Sequence, residues 1–300
     1  MKNVEIKGII APLLTPMNAD ETINEKELRN QVSHKIEKGI HGVFPLGTNG
    51  EAYALSLEEK IRVIEVVVDE VKGRVPVYAG TGCISTKDTI ELSKKAKEIG
   101  ADVLSIVTPW YAAASQDEIY SHFKEVAEAV DLPIVLYNIP ARTGKTITPE
   151  TVEKLSKIPN IVGVKDSSGD FENMLKYIEK TRYRKDFAVL SGNDSLILWC
   201  LLAGGKGGIA GCANVFPSTM ASIYDTFVAG DLEKAREIQD SIRSFRDCFK
   251  FGNPNTIVKT AVSLLGFPVG KCRKPFCQVP EAGVEAIKKV LEANAAKGMK

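Results

Sequence analysis

Charge of one sign is what this chain has least of in excess. Lys and Arg number 39 and Asp and Glu 38, leaving +1 over 300 residues. That balance gives no electrostatic pull towards nucleic acid or an anionic membrane surface, so neither is expected as a partner. Nor does any apolar stretch approach the roughly 20 residues needed to span a bilayer. The opening "MKNVEIKGIIAPLLTP" has a short apolar run but no small-residue cleavage site. It reads as a first strand and not as a signal peptide, which makes the cytoplasm the expected compartment.

Metal-binding and thiol signatures are also missing. The six cysteines (Cys83, Cys200, Cys212, Cys248, Cys272, Cys277) form no CxxC pair. Cys272 and Cys277 have no histidine nearby, so no zinc site is expected, and reduced, mostly buried thiols fit a chain of this length. The three histidines, His34, His41 and His122, are isolated, and His34 and His122 fall in helical patterns. A Ser-His-Asp or Cys-His mechanism has little support on that basis. No GxGxxG follows an early strand, which argues against a dinucleotide-binding sheet.

What the chain does have is rhythm. Short apolar runs recur at Gly8–Leu14, Gly42–Leu46, Val75–Gly80, Val103–Val107, Pro133–Asn138, Ile161–Lys165, Ala188–Ser191 and Gly208–Cys212. Between them lie segments such as "EEKIRVIEVVVDEVK" and "QDEIYSHFKEVAEAV", with apolar residues three and four apart, as in amphipathic helices. Ser115 before Asp117–Glu118 and Thr148 before Pro149–Glu150 read as helix starts, and Gly100 as a stop. Solid apolar strands alternating with helices predict a parallel sheet, and eight such units in series predict a (β/α)8 TIM barrel. Past Cys212 the strand signals cease. Residues 1–230 are expected to form the barrel that carries the active site, and 231–300 a C-terminal helical extension.

In such a barrel, chemistry sits where strands end. The predicted rim gathers Thr48 and Asn49 ("PLGTNGEA"), Trp110 and Tyr111 ("TPWYAAAS"), Tyr137 and Arg142 ("YNIPARTG"), Lys165 ("IVGVKDSSGD") and Ile209 ("GGIAGCAN"). Lys165 closes an apolar run. A lysine held among apolar groups has its charged form disfavoured, and a neutral amine can attack a ketone. A tyrosine near the resulting imine can shuttle protons, and an arginine can hold a carboxylate through paired hydrogen bonds. Each residue alone has a plainer reading: a snorkelling lysine, a half-buried tyrosine, a surface arginine, a strand-to-helix turn. Their coincidence on one rim favours a site. No divalent-cation cluster accompanies them, and neither a metal nor any other cofactor is expected.

In order and spacing, "GTNGEA", "TPWY", "YNIPARTG", "GVKD" and the closing "CRKPF" resemble the pyruvate-dependent class I aldolase superfamily, which includes dihydrodipicolinate synthase and N-acetylneuraminate lyase. The resemblance covers nearly the whole chain. It implies that Lys165 is the Schiff-base lysine and Tyr137 the proton donor and acceptor. It also implies that Thr48 and Tyr111 complete a proton relay, with Tyr111 reaching into a neighbouring subunit. Asn49 and Ile209 would hold pyruvate, and Arg142 the second substrate's carboxylate. A homotetramer built from dimers is implied as well. The reaction so implied condenses pyruvate with aspartate semialdehyde. The alternative is aldol cleavage or synthesis of a 2-keto-3-deoxy sugar acid, N-acetylneuraminate or 4-hydroxy-2-oxoglutarate. Asn49 stands where synthases usually carry a second threonine, and Trp110, Leu57, Lys60 and Ile84 depart from the lysine-feedback site of regulated synthases.

Overall fold

A computed structural model describes residues 4–276 and 278–299. Its eight parallel strands are β1 (Gly8–Pro12), β2 (Gly42–Phe44), β3 (Tyr78–Gly80), β4 (Val103–Val107), β5 (Ile134–Asn138), β6 (Ile161–Asp166), β7 (Ala188–Ser191) and β8 (Gly207–Ile209). They pair in the order β2-β1-β8-β7-β6-β5-β4-β3, and a parallel bridge from Val43 to Val77 joins the two ends. The expected (β/α)8 barrel is therefore the fold, followed by helices that run to Ala296.

Several strands are shorter than the apolar runs suggested. β3 begins at Tyr78, because Pro76 has no N–H for the ladder and serves only as an acceptor, taking the Val43 amide at 3.1 Å. β8 ends at Ile209, where the chain turns into the short helix Gly211–Asn214. The helix boundaries follow local chemistry. Ser115 and Ser56 each close a reciprocal capping box, Thr148 caps the helix that Pro149 opens, and Gly100 ends its helix in left-handed backbone.

Strand alternation decides what faces the barrel interior. Phe44, Tyr78, Val103, Val135, Tyr137, Ala188, Leu190 and Ile209 form the inner cluster. Their strand neighbours Leu104, Leu136, Val164 and Val189 pack outwards against the helices. With Val164 outside, Lys165 falls on the inner side. A third cluster joins β1 (Ile9, Ala11) to Phe245, Ile257, Val258 and Ile287 of the C-terminal helices, so those helices share apolar packing with the barrel wall.

The described cysteines, Cys83, Cys200, Cys212, Cys248 and Cys272, are free and buried, while Cys277 lies outside the described residues. Among the described residues no helix is long and apolar enough to cross a membrane.

The β8–β1 seam depends on glycine. A Cβ on Gly207 would sit 2.0 Å from the Gly8 carbonyl oxygen. Gly207→Ala should lower the free energy of unfolding by about 3 kcal/mol or more in a denaturant titration. Gly73→Ala has an open site and only its φ of +73° against it, and should cost about 1 kcal/mol. Equal losses would mean that the seam does not constrain the barrel.

Candidate active site

The site begins with strand register. Tyr137 on β5 is paired with Lys165 on β6. Both side chains point inwards at the C-terminal end of the strands, and each keeps only 4% of its accessible surface. The Lys165 Nζ lies 3.6 Å from the centre of the Tyr137 ring and 5.3 Å from that of Phe44. The amine thus rests against two aromatic faces in a nearly dry enclosure, a position that suits a cation and limits its contact with water.

The loop after β2 brings Thr48 across, with its Oγ1 3.2 Å from the Tyr137 hydroxyl. Burial pushes the Tyr137 phenol up, but the Lys165 charge pulls it down, and hydrogen bonds with Thr48, Lys165 and Ser167 add to that pull. Together the lowering contributions win, and the phenol sits below the usual tyrosine value. A tyrosine so placed can pass a proton between the amine side and the loop side of the cleft.

Asp166, next to the lysine, is buried and fully engaged. It accepts from Asn138 Nδ2 (2.8 Å), the Ser168 amide (3.0 Å) and hydroxyl (3.0 Å), and Asn173 Nδ2 (3.1 Å). The turn "KDSSG" is thereby fixed to β5, and Lys165 with it. Gly192, after β7, makes room on the other side. A Cβ there would lie 1.9 Å from Ser167 Oγ and 3.0 Å from Lys165 Cε.

The cleft has two compartments that share Thr48, Tyr137, Ile139, Arg142 and Asn255. The inner one also holds Lys165, Asn49, Ile209 and Ser167, and the outer one is lined by Phe44, Leu46, Val107 and Trp110. Six of the seven candidates from the sequence therefore converge: Lys165, Tyr137, Thr48, Asn49, Arg142 and Ile209. Arg142 is exposed on the short helix Pro140–Thr143, and its guanidinium has no ion-pair partner among the described residues. It is free to meet an anion. Tyr111 stands apart. It is 98% exposed, its backbone is left-handed at φ 75°, and it lines neither compartment. Among the described residues of one chain, Thr48 meets the Tyr137 hydroxyl without any contribution from Tyr111.

The sequence alone assigns no site role to Ser167, Gly192, Asn255, Asp194 or Arg246, all of which line the inner compartment, although "SGND" falls at a strand end and "NPN" at Asn253–Asn255 is synthase-like. Asp194 and Arg246 form an ion pair at 3.1 Å in its wall. The glycine of "SGND" was a usable signal. The contribution of Arg246 and Asn255 from the C-terminal helices was not, because no local pattern points them at the barrel mouth.

The histidines have structural partners. His122 is buried against Thr86 at 2.9 Å, and burial lowers its pKa to about 4. His41 accepts from the Ile9 amide at 3.1 Å and lies 3.0 Å from Asp225. Among the described residues no three His, Cys, Asp or Glu side chains gather as a metal-ligand set.

The phenol can be titrated directly. The tyrosinate absorbance lost in Tyr137→Phe should ionise below the usual tyrosine pH in the native protein. In Lys165→Met that same signal should move to higher pH, since burial then acts without an opposing charge. An unchanged midpoint would show that the amine does not act on the phenol.

Comparison with known proteins agrees with this geometry. Residues 5–294 match the Dihydrodipicolinate synthetase family. A protein of Methanopyrus kandleri named 4-hydroxy-tetrahydrodipicolinate synthase is 44% identical over 291 residues, covering 96% of each chain. The crystal structure of dihydrodipicolinate synthase from Thermotoga maritima superposes with a TM-score of 0.94 at 31% identity, covering 97% of this chain and 99% of that one. A prophage protein of the same family from E. coli K12, solved in complex with pyruvate, superposes with a TM-score of 0.94 at 30% identity, again covering 97% and 99%. The chain belongs to the dihydrodipicolinate synthetase family, enzymes of the pyruvate-dependent class I aldolase superfamily.

Proposed function

We propose that this protein condenses pyruvate with aspartate semialdehyde to give 4-hydroxy-tetrahydrodipicolinate, through a Schiff base on Lys165. The observation that carries the reading is the Lys165 Nζ set 3.6 Å from the Tyr137 ring, with the phenol 3.2 Å from Thr48. The whole-length relatives carrying the synthase name support the choice of aldehyde.

Once it has given up its proton, the Lys165 amine attacks C2 of pyruvate, and the carbinolamine hydroxyl leaves as water with a proton from the Tyr137 phenol, giving the protonated ketimine. The protonated imine draws electrons from C3, whose proton passes to the Tyr137 phenolate left by that step, giving an enamine. The enamine carbon adds to the aldehyde of the second substrate. The developing alkoxide takes its proton back from Tyr137, with Thr48 holding the phenol in line. The substrate's own amine then attacks C2, closes the ring and frees Lys165. Asn49 and the backbone around Ile209 hold the pyruvate carboxylate, and the unpaired Arg142 receives the carboxylate of the aldehyde.

Tyr111 acts in this scheme from a second copy of the chain, in a tetramer built from dimers. A tyrosine 98% exposed on strained backbone gains nothing in an isolated protomer. Packed into a partner's cleft, it would extend the relay.

Borohydride added with pyruvate should leave a covalent adduct that peptide mass spectrometry places on Lys165. An adduct on another lysine, or none, contradicts the mechanism. Arg142→Ala should lower kcat/KM for aspartate semialdehyde by roughly 10- to 100-fold, as expected for the loss of a charge-assisted contact, while the pyruvate adduct still forms. Loss of the adduct as well would remove the role given to Arg142.

A further inference from the structure

Two buried charges take no part in the chemistry above. Glu51 and Lys259 are 0% and 1% exposed, and the Lys259 Nζ donates to Glu51 Oε1 at 2.7 Å across 208 residues of sequence. Burying such a pair costs desolvation on both sides, and by itself it is weak evidence of stability. Glu51 also adopts left-handed backbone at φ 57°, a conformation that a residue with a Cβ holds only when its surroundings impose it.

The surroundings are the helix Pro254–Leu264 and the active-site loop. Asn255 and Lys259 are one turn apart and share a helix face. Asn255 Nδ2 donates to the Thr48 carbonyl at 2.7 Å and contacts the Tyr53 hydroxyl at 3.3 Å. One turn on, Lys259 holds Glu51 and also donates to the Lys271 carbonyl at 3.0 Å. The other Glu51 oxygen accepts the Arg273 amide at 2.8 Å. Within the loop, the Glu51 amide donates to the same Thr48 carbonyl at 3.1 Å, so Asn255 and Glu51 both end on Thr48.

We propose that the helix Pro254–Leu264 clamps the loop Thr48–Glu51 at both ends, making Glu51, Lys259 and Asn255 positioning residues that hold the Thr48 hydroxyl at the Tyr137 phenol. Neither charged partner lines the cleft, so the pair acts through the loop and not on the substrate. This role rests on the proton relay of the proposed function. It gives a segment outside the barrel a part in setting the rate of proton transfer.

The test uses the full-length protein with Glu51→Gln and Lys259→Met together, and Asn255→Ala separately. The double variant leaves no unpaired buried charge and is the one expected to stay folded, as checked by thermal melting. In the double variant, with Thr48 displaced, kcat should fall roughly 10- to 100-fold while the KM for pyruvate and the yield of borohydride adduct stay within about twofold; Asn255→Ala should show the same fall in kcat. The limb of the kcat–pH profile that belongs to Tyr137 should move to higher pH, because one of the contacts that lowers the phenol is lost. Folded variants with native kcat and an unmoved limb would overturn the clamp. So would a loss of kcat matched by an equal loss of adduct with the limb in place, since that is general destabilisation. An absent adduct in the native protein would instead sink the Schiff-base reading. The two failures are separable, because the phenol titration still reports whether Thr48 is held.

Discussion

An amine and a phenol set side by side on neighbouring parallel strands, inside an apolar enclosure, constrain everything around them. Register places Lys165 opposite Tyr137, so their backbone positions are tied to each other. The lysine charge acts on the phenol with little water to screen it. The lysine charge offsets the burial that would otherwise raise the phenol. The rest of the cleft can be understood as what this pair requires: Gly192 to leave space beside the lysine, Asp166 to anchor the turn, and Thr48 to orient the phenol.

The barrel supplies the pair but does not complete the site. Asn49 and Ile209 come from strand ends, as the fold dictates, and Arg142 from a short turn after β5. Asn255 and Arg246 arrive from helices that follow the barrel, and these pack on β1 through a shared apolar cluster. The candidate catalytic pair thus lies on strands. In the proposed clamp, the part that sets orientation lies on a loop tied down by distant segments, where small displacements would carry large consequences for rate.

Much of this is legible in the sequence. Solid apolar runs separated by amphipathic stretches fixed the strand count, and Ser115, Thr148 and Gly100 marked helix ends because capping is local chemistry. Lys165 stood out because a charged residue closed an apolar strand. The strand ends were less legible: the loss of an amide donor at Pro76 and the turn at Gly211 shortened β3 and β8 relative to their apolar runs. The Glu51–Lys259 and Asn255–Thr48 contacts were not legible at all, since they join residues more than 200 positions apart and leave no periodic trace. Tyr111 was singled out by resemblance, and its exposed, strained position in a single chain has no counterpart in any local pattern.

The central claim is that the Lys165 amine and the Tyr137 phenol together make the methyl protons of pyruvate labile. Deuterium exchange at that methyl group, followed by proton NMR with pyruvate and no aldehyde, measures this step alone. The account predicts exchange well above the protein-free rate in the native chain and none above it in Lys165→Ala, with a deep loss in Tyr137→Phe. Exchange in Lys165→Ala as fast as in the native protein would contradict it.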